Sequence, residues 1–190
     1  MANIAIFASG SGSNAEKLIQ YFQDTDTVIN IIITNKASAG VIARAESFKI
    51  PVQVFSKDQF NQPSEIISLL KAQQIDLIIL AGFLLKISPD FIQAFPERII
   101  NLHPSLLPKY GGKGMYGAYV HEAVLAAKEK ESGITIHIVN EHFDEGRVLE
   151  QHKVAVSSDD TVASLSKKIQ LLEHTYFPKA IKSYLMLLNN

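Results

Sequence analysis

The sequence predicts an α/β fold, a mostly parallel twisted sheet flanked by helices, and three observations predict it. Short apolar runs alternate with amphipathic ones along the chain. A glycine and serine turn follows the first apolar run directly and opens a helical pattern. No internal repeat, low-complexity tract or linker breaks the alternation.

Taken in order, the candidate strands are Ile4 to Ala8, Val28 to Ile33, Val52 to Phe55, Leu77 to Ala81, Ile99 to Leu102, Thr135 to Val139 and Val148 to Val156. The first five read as the buried centre of the sheet because they are nearly continuous runs of branched apolar residues. Between them, Ala15, Leu18, Ile19 and Phe22 recur at helical spacing, as do Ile66, Ile67 and Leu70, which places helices over the sheet faces. Ser88 followed by Pro89 reads as a helix cap with proline in the first turn, so a short helix is expected over Phe91 to Phe95. Val162, Leu165, Ile169, Leu172 and Tyr176 form one stripe of a long final helix. The stretch Lys109 to Gly117 holds Gly111, Gly112, Gly114 and Gly117 and reads as a mobile loop near the site.

Composition narrows the chemistry. Of the 190 residues 47% are hydrophobic and 19% charged, enough apolar content for one well-filled domain. The formal net charge of -1 removes the broad cationic field of a nucleic-acid binder, so any bound anion is expected to be small and locally recognised. No apolar run approaches the length of a bilayer span, and no basic stretch with a signal core opens the chain. With no cysteine there is neither a disulfide framework nor a thiolate site, which fits a cytoplasmic protein.

Ser9-Gly10-Ser11-Gly12-Ser13-Asn14 sits where exposed amides and the helix dipole favour a phosphate. Two readings stand side by side: a tight strand-to-helix turn, or a cradle for a terminal phosphate monoester. Gly10, Gly12 and Ala15 match the dinucleotide spacing, but the second strand ends Thr34-Asn35-Lys36, without the acidic residue a ribose needs. Gly112-Lys113 is followed by Gly114, which excludes a Walker loop.

Asn101-Leu102-His103-Pro104 carries the densest chemistry. In an extended segment Asn101 and His103 project to one side, and Pro104 disfavours a helical conformation at His103. A carboxamide donor beside an imidazole at the carboxyl end of a strand suits a carbonyl that becomes an oxyanion during acyl transfer. Asp144, in Phe143-Asp144-Glu145-Gly146, is placed either to cap that turn with Gly146, or to hold His103 protonated, orient a water or relay the amine's proton. His137 is expected as an inward strand residue near the site. His121-Glu122 lacks the second zinc-protease histidine, since Leu125 stands in its place, and no metal set emerges from His142, His152 or His174. No Gly-x-Ser-x-Gly elbow is present.

Ser9 to Asn14, Leu80-Ala81-Gly82-Phe83, Asn101 to Pro108, Phe143 to Gly146 and Glu173-His174 together resemble the phosphoribosylglycinamide formyltransferases, over nearly the whole chain. The resemblance implies a Rossmann-like formyltransferase domain over 1–190, with a phosphate-binding half at about 1–100 and a catalytic and folate-binding half at about 101–190. It implies formyl transfer from 10-formyltetrahydrofolate to the amine of glycinamide ribonucleotide, without metal, nucleic acid or membrane, by a monomer or homodimer. Asn101, His103 and Asp144 would be catalytic; Gly12, Ser13 and Asn14 would take the phosphate and Glu173 the ribose hydroxyls. Folate would lie at Phe83, Leu84, Leu85, Lys86 and Ile87 and at Asn140, Glu141, His142 and Phe143, and the bond before Pro108 would be cis. Leu84 to Ile87 replaces the family's frequent Met-Arg-Ile-Leu, and the 111–117 loop is longer and richer in glycine than in common relatives. Hydrolysis of the same folate, or transfer to another amine, are the neighbouring activities; the hydrolases carry an N-terminal regulatory domain and a second histidine, where this chain begins with strand one and has Pro104.

Overall fold

The computed structural model describes residues 2–188, which divide into two compact units, one running to Asn101 and one from Leu102. The first unit holds five strands, β1 (Ala2–Phe7), β2 (Thr27–Thr34), β3 (Val52–Val54), β4 (Leu77–Leu80) and β5 (Ile99–His103), the last crossing into the second unit. All pair in parallel, in the order β3-β2-β1-β4-β5. Ile4, Ile6, Phe7, Ile32, Ile33, Ile78 and Ile79 are buried, as strands covered on both faces require. Phe7 lies opposite Leu80, and Leu80 opposite Asn101, so the turn after β1, the turn after β4 and Asn101 share one carboxyl edge.

The predicted helices appear as α1 (Ser13–Phe22), α4 (Ser64–Ala72) and α5 (Pro89–Ala94), with Ala15, Leu18, Ile19, Phe22, Ile66 and Leu70 buried as their spacing required. Two short helices had no clear apolar stripe and were not expected: α2 (Val41–Ser47) and α3 (Lys57–Asn61), the latter opened by a Ser56/Gln59 capping box. Ser88 does take the extended N-cap conformation with Pro89 next, yet its hydroxyl makes no capping bond and lies buried without a partner. The fixed φ of Pro89 is therefore the helix-starting signal here, rather than the Ser88 side chain.

The second unit contains α6 (Ala118–Ala126), also unforeseen, an antiparallel pair β6 (Glu131–Ile138) and β7 (Val148–Ala155), and the long α7 (Val162–Leu188). α7 packs on β6, β7 and α6. Its buried line follows Leu165 and Ile169 as expected, then advances to Phe177, Ile181 and Leu185 instead of Tyr176. Tyr176 stays half-buried and stacks flat on His152 of β7, ring centres 3.6 Å apart. The register of β6 and β7 slips between Ile136 and His137, just before the turn that carries Asp144.

Candidate active site

In the first unit, the turn after β1 is built by close packing. Gly12 has φ +78 and caps α1, and a Cβ there would stand 2.6 Å from Val41 Cβ, so only glycine fits. Val41 N donates to Gly10 O (3.1 Å), and Arg44 Nε donates to Ser11 O (2.8 Å) while its guanidinium pairs with Glu16. The Ser9 hydroxyl is taken up structurally: it donates to Asn35 Oδ1 (2.6 Å) and accepts from Leu84 N (3.0 Å). Half-buried Ser13 and Asn14 open α1, whose N-cap residue, Gly12, supplies no side-chain hydrogen bond. That leaves the geometry in which a helix N-terminus accepts an anion.

The turn after β4 narrows the folate expectation. Phe83 packs into an aromatic cluster with Phe7 (5.4 Å) and Phe60 (4.8 Å), and Ile87 is buried too. Their side chains are part of the core, while Leu84 and Lys86 are exposed and Leu85 half-buried. Asn101 on β5 is half-buried, two residues before His103 on the same strand.

In the second unit His103 is 4% exposed. Its Nε2 lies 2.8 Å from the Tyr110 carbonyl and its Nδ1 3.5 Å from Asp144 Oδ2. Because a carbonyl only accepts, Nε2 carries the hydrogen, and in the neutral ring Nδ1 is the open basic site. Burial pushes the His103 pKa down; Asp144 and the Tyr110 bond push it up without overcoming burial, and His137 adds to the lowering. The balance of these influences leaves the His103 pKa below the ordinary histidine value.

Asp144 reaches beyond its own turn. Its Oδ2 accepts from Gly112 N (2.9 Å), and its Oδ1 lies 3.7 Å from Nε2 of buried His137, whose Nδ1 donates to Ile138 O (3.1 Å). Burial raises the Asp144 pKa, but His137, His103 and the Gly112 amide together bring it below the ordinary carboxylate value. Asp144 is therefore an anion at neutral pH. Gly146 makes the turn possible, since any Cβ there would overlap the Ile138 carbonyl.

The structure thus brings His103, Asp144 and His137 together. The Tyr110 carbonyl and Gly112 amide of the cluster were not foreseen, because backbone groups leave no residue-type signal. Asn140 is half-buried and its Oδ1 accepts from His142 N (3.0 Å), while Glu141, His142 and Phe143 are exposed. Glu173 is half-buried on α7. His152 bonds Glu150 (2.9 Å) and His121 is buried on α6. The Leu107–Pro108 bond is cis, as the resemblance implied. Among the described residues no group of three or more His, Cys, Asp or Glu forms a metal set, and no helix is long and apolar enough to cross a membrane.

Comparison with known proteins bears on the family and the fold. A family model described as formyl transferase matches residues 2–181. The chain is 40% identical over 185 residues to the phosphoribosylglycinamide formyltransferase, chloroplastic, of Arabidopsis thaliana, covering 94% of this chain and 63% of that protein. It is 34% identical over 195 residues to the phosphoribosylglycinamide formyltransferase of Bacillus subtilis (strain 168), covering 100% of this chain and 97% of that one. A crystal structure of phosphoribosylglycinamide formyltransferase from Bacillus halodurans is similar with a TM-score of 0.89 and 35% identity, over 96% of this chain and 95% of the other. The chain spans less than two thirds of the plant relative and nearly all of the two bacterial ones.

Proposed function

The chain belongs to the formyl transferase family, and from that premise we propose that it transfers the formyl group of 10-formyltetrahydrofolate to the amine of N1-(5-phosphoribosyl)glycinamide, a step of purine biosynthesis. The observation that carries this reading is a buried His103 whose Nδ1 lies 3.5 Å from Asp144 Oδ2, at the end of the strand that also bears Asn101.

The chemistry proceeds by direct attack, so no nucleophilic side chain is required. The neutral glycinamide amine adds to the formyl carbon, and the carbonyl π electrons move onto oxygen. Asn101, through its carboxamide N–H, stabilises that oxyanion. The amine, now carrying an extra proton, passes it to His103, whose open nitrogen faces Asp144. Asp144 stabilises the imidazolium as it forms, so the carboxylate that fails to charge the ring in the free protein does so during turnover. Collapse of the tetrahedral adduct breaks the bond to folate N10, and the proton goes to that departing nitrogen.

Binding roles follow residue by residue. The amides of Gly12, Ser13 and Asn14 take the phosphate, and Glu173 takes the ribose hydroxyls. Leu84, Leu85 and Lys86, with backbone at Phe83 and Ile87, line the folate; Asn140, Glu141, His142 and Phe143 meet its pterin, chiefly through backbone. The formyltransferase domain covers 1–190 and works in the cytoplasm, as a monomer or homodimer, and no metal takes part.

Release of tetrahydrofolate, followed by absorbance with and without glycinamide ribonucleotide, tests the assignment. Release that depends on the ribonucleotide is expected. Equal release without it would make the chain a hydrolase, and no release in either case would make it a binder only.

A further inference from the structure

We propose that Gln151 is a positioning residue for His103: it anchors the 105–110 turn so that the Tyr110 carbonyl selects the Nε2–H tautomer of the imidazole. The inference rests on the role given to His103 above.

The β6–β7 register sets Gln151 directly across from Thr135. The Gln151 amide nitrogen donates to the Leu107 carbonyl and to Thr135 Oγ1, both at 2.9 Å. Since a backbone carbonyl cannot donate, the amide has to present its nitrogen to Leu107, and both of its hydrogens are used. Thr135 Oγ1 in turn donates to Ser105 O (2.7 Å) and accepts from Leu107 N (3.0 Å). With the Gln151 bond, its single hydrogen and both lone pairs are occupied. Ser105 Oγ then donates to Lys109 O (2.7 Å), and Lys109 N donates to Leu106 O (3.1 Å). Ser105 and Thr135 are fully buried, so the Thr135 bonds to Ser105 O and Leu107 N are shielded from exchange with water, while Gln151 is exposed and reaches them from the surface.

The next carbonyl along the chain, that of Tyr110, is the one His103 uses. A neutral imidazole has one ring hydrogen and here two acceptors compete for it: Tyr110 O at 2.8 Å from Nε2 and Asp144 Oδ2 at 3.5 Å from Nδ1. The shorter contact wins, which leaves Nδ1 bare and basic beside the carboxylate. The two tautomers of imidazole differ little in intrinsic energy, so one hydrogen bond of ordinary strength decides between them. His137, the remaining titratable group at Asp144, has its Nδ1 committed to Ile138 O and does not supply the choice. If the Leu107 carbonyl loses its partner, the turn is free to shift, Tyr110 O leaves Nε2, and the hydrogen moves to Nδ1 to meet Asp144. The ring then has its basic nitrogen on the wrong side, and the amine's proton has no acceptor in the stabilised position.

The test uses the full chain with ¹⁵N-labelled histidine rings at about pH 7.5, the His103 signals being those lost in His103→Ala. Wild type is expected to show the Nε2–H tautomer. Gln151→Leu removes both donors, and Gln151→Glu keeps the shape while exchanging them for acceptors, so the second reports if the first does not fold. Both should move His103 toward the Nδ1–H tautomer and lower kcat about tenfold or more, with KM for either substrate within about twofold. An unchanged tautomer in a folded variant overturns the proposal, whether or not kcat falls. Wild-type turnover in His103→Ala would overturn instead the role of His103 itself, so the two failures are separable.

Discussion

The turn over Ser9 to Asn14 and the cluster around His103 reach polar function by opposite routes. The first is one continuous segment, shaped by a glycine that nothing larger can replace and held by neighbours on α2. The second is collected from β5, the 110–112 backbone, β6 and the 143–146 turn, positions up to some forty residues apart in sequence. On the proposed function, altering a segment of the first kind changes binding, because its amides would only hold a ligand. Altering a cluster of the second kind would change the reaction, because its electrostatics are set by groups that burial brings together.

The largest effect should come from breaking the cluster at its centre. Asn101→Ala or His103→Ala is expected to reduce kcat by about a thousandfold, while the thermal midpoint moves by only a few degrees, about what a small buried truncation produces. Steady-state kinetics beside a melting curve decides it, and near-wild-type turnover in both variants would end the acyl-transfer assignment.

Asp144→Asn should follow, with kcat down by about a hundredfold and a change in the pH profile. Asp144 is the main influence raising the His103 pKa against burial, so its removal lets that pKa fall further. In wild type the acid limb of kcat/KM is expected below the usual histidine value of about 6.5, and in Asp144→Asn lower still. A limb that moves upward would contradict the electrostatics described.

Gly12→Ala contrasts the other region with this one. The added methyl meets Val41 at 2.6 Å in a backbone conformation of φ +78, and a destabilisation of about 1–3 kcal/mol is expected. KM for the ribonucleotide should rise several-fold while kcat changes little. Gly10→Ala, whose Cβ would meet nothing within 4 Å, should leave both nearly unaltered. Urea unfolding and substrate titration of the pair separate strain from ligand contact.

The smallest effect is on stability against pH. His103 binds its proton more weakly folded than unfolded, so the stability present above about pH 6.5 is lost as the pH falls toward the lowered native pKa. The urea midpoint should drop between pH 7.5 and 5.5, and drop less in His103→Asn. Equal drops in the two proteins would mean that His103 is not the group concerned.

Much of this was readable beforehand wherever the cause was local. The five parallel strands follow from runs such as Ile31-Ile32-Ile33 and Leu77-Ile78-Ile79, and α1 from the spacing of Ala15, Leu18, Ile19 and Phe22. Asn101 and His103 were visible as a pair because alternation along a strand needs no tertiary information. α2, α3 and α6 were not visible: α2 and α3 are seven and five residues long, and α6 is apolar without a marked polar face. The packing of Phe83 against Phe7 of β1 and Phe60 of α3 was not legible either, because it joins positions far apart in sequence.

The amino-acid sequence alone determined the α/β class, the glycine at the head of α1, the identity of the carboxamide and the imidazole, and the family to which they belong. Those depend on local conformational preference and residue chemistry, which act over a few positions. The tertiary structure decided the burial of His103, the nitrogen that carries its hydrogen, and the partners of Asp144. Each of these depends on how much water is excluded and on which backbone groups arrive from elsewhere, and neither desolvation nor a carbonyl's position is encoded in any single residue.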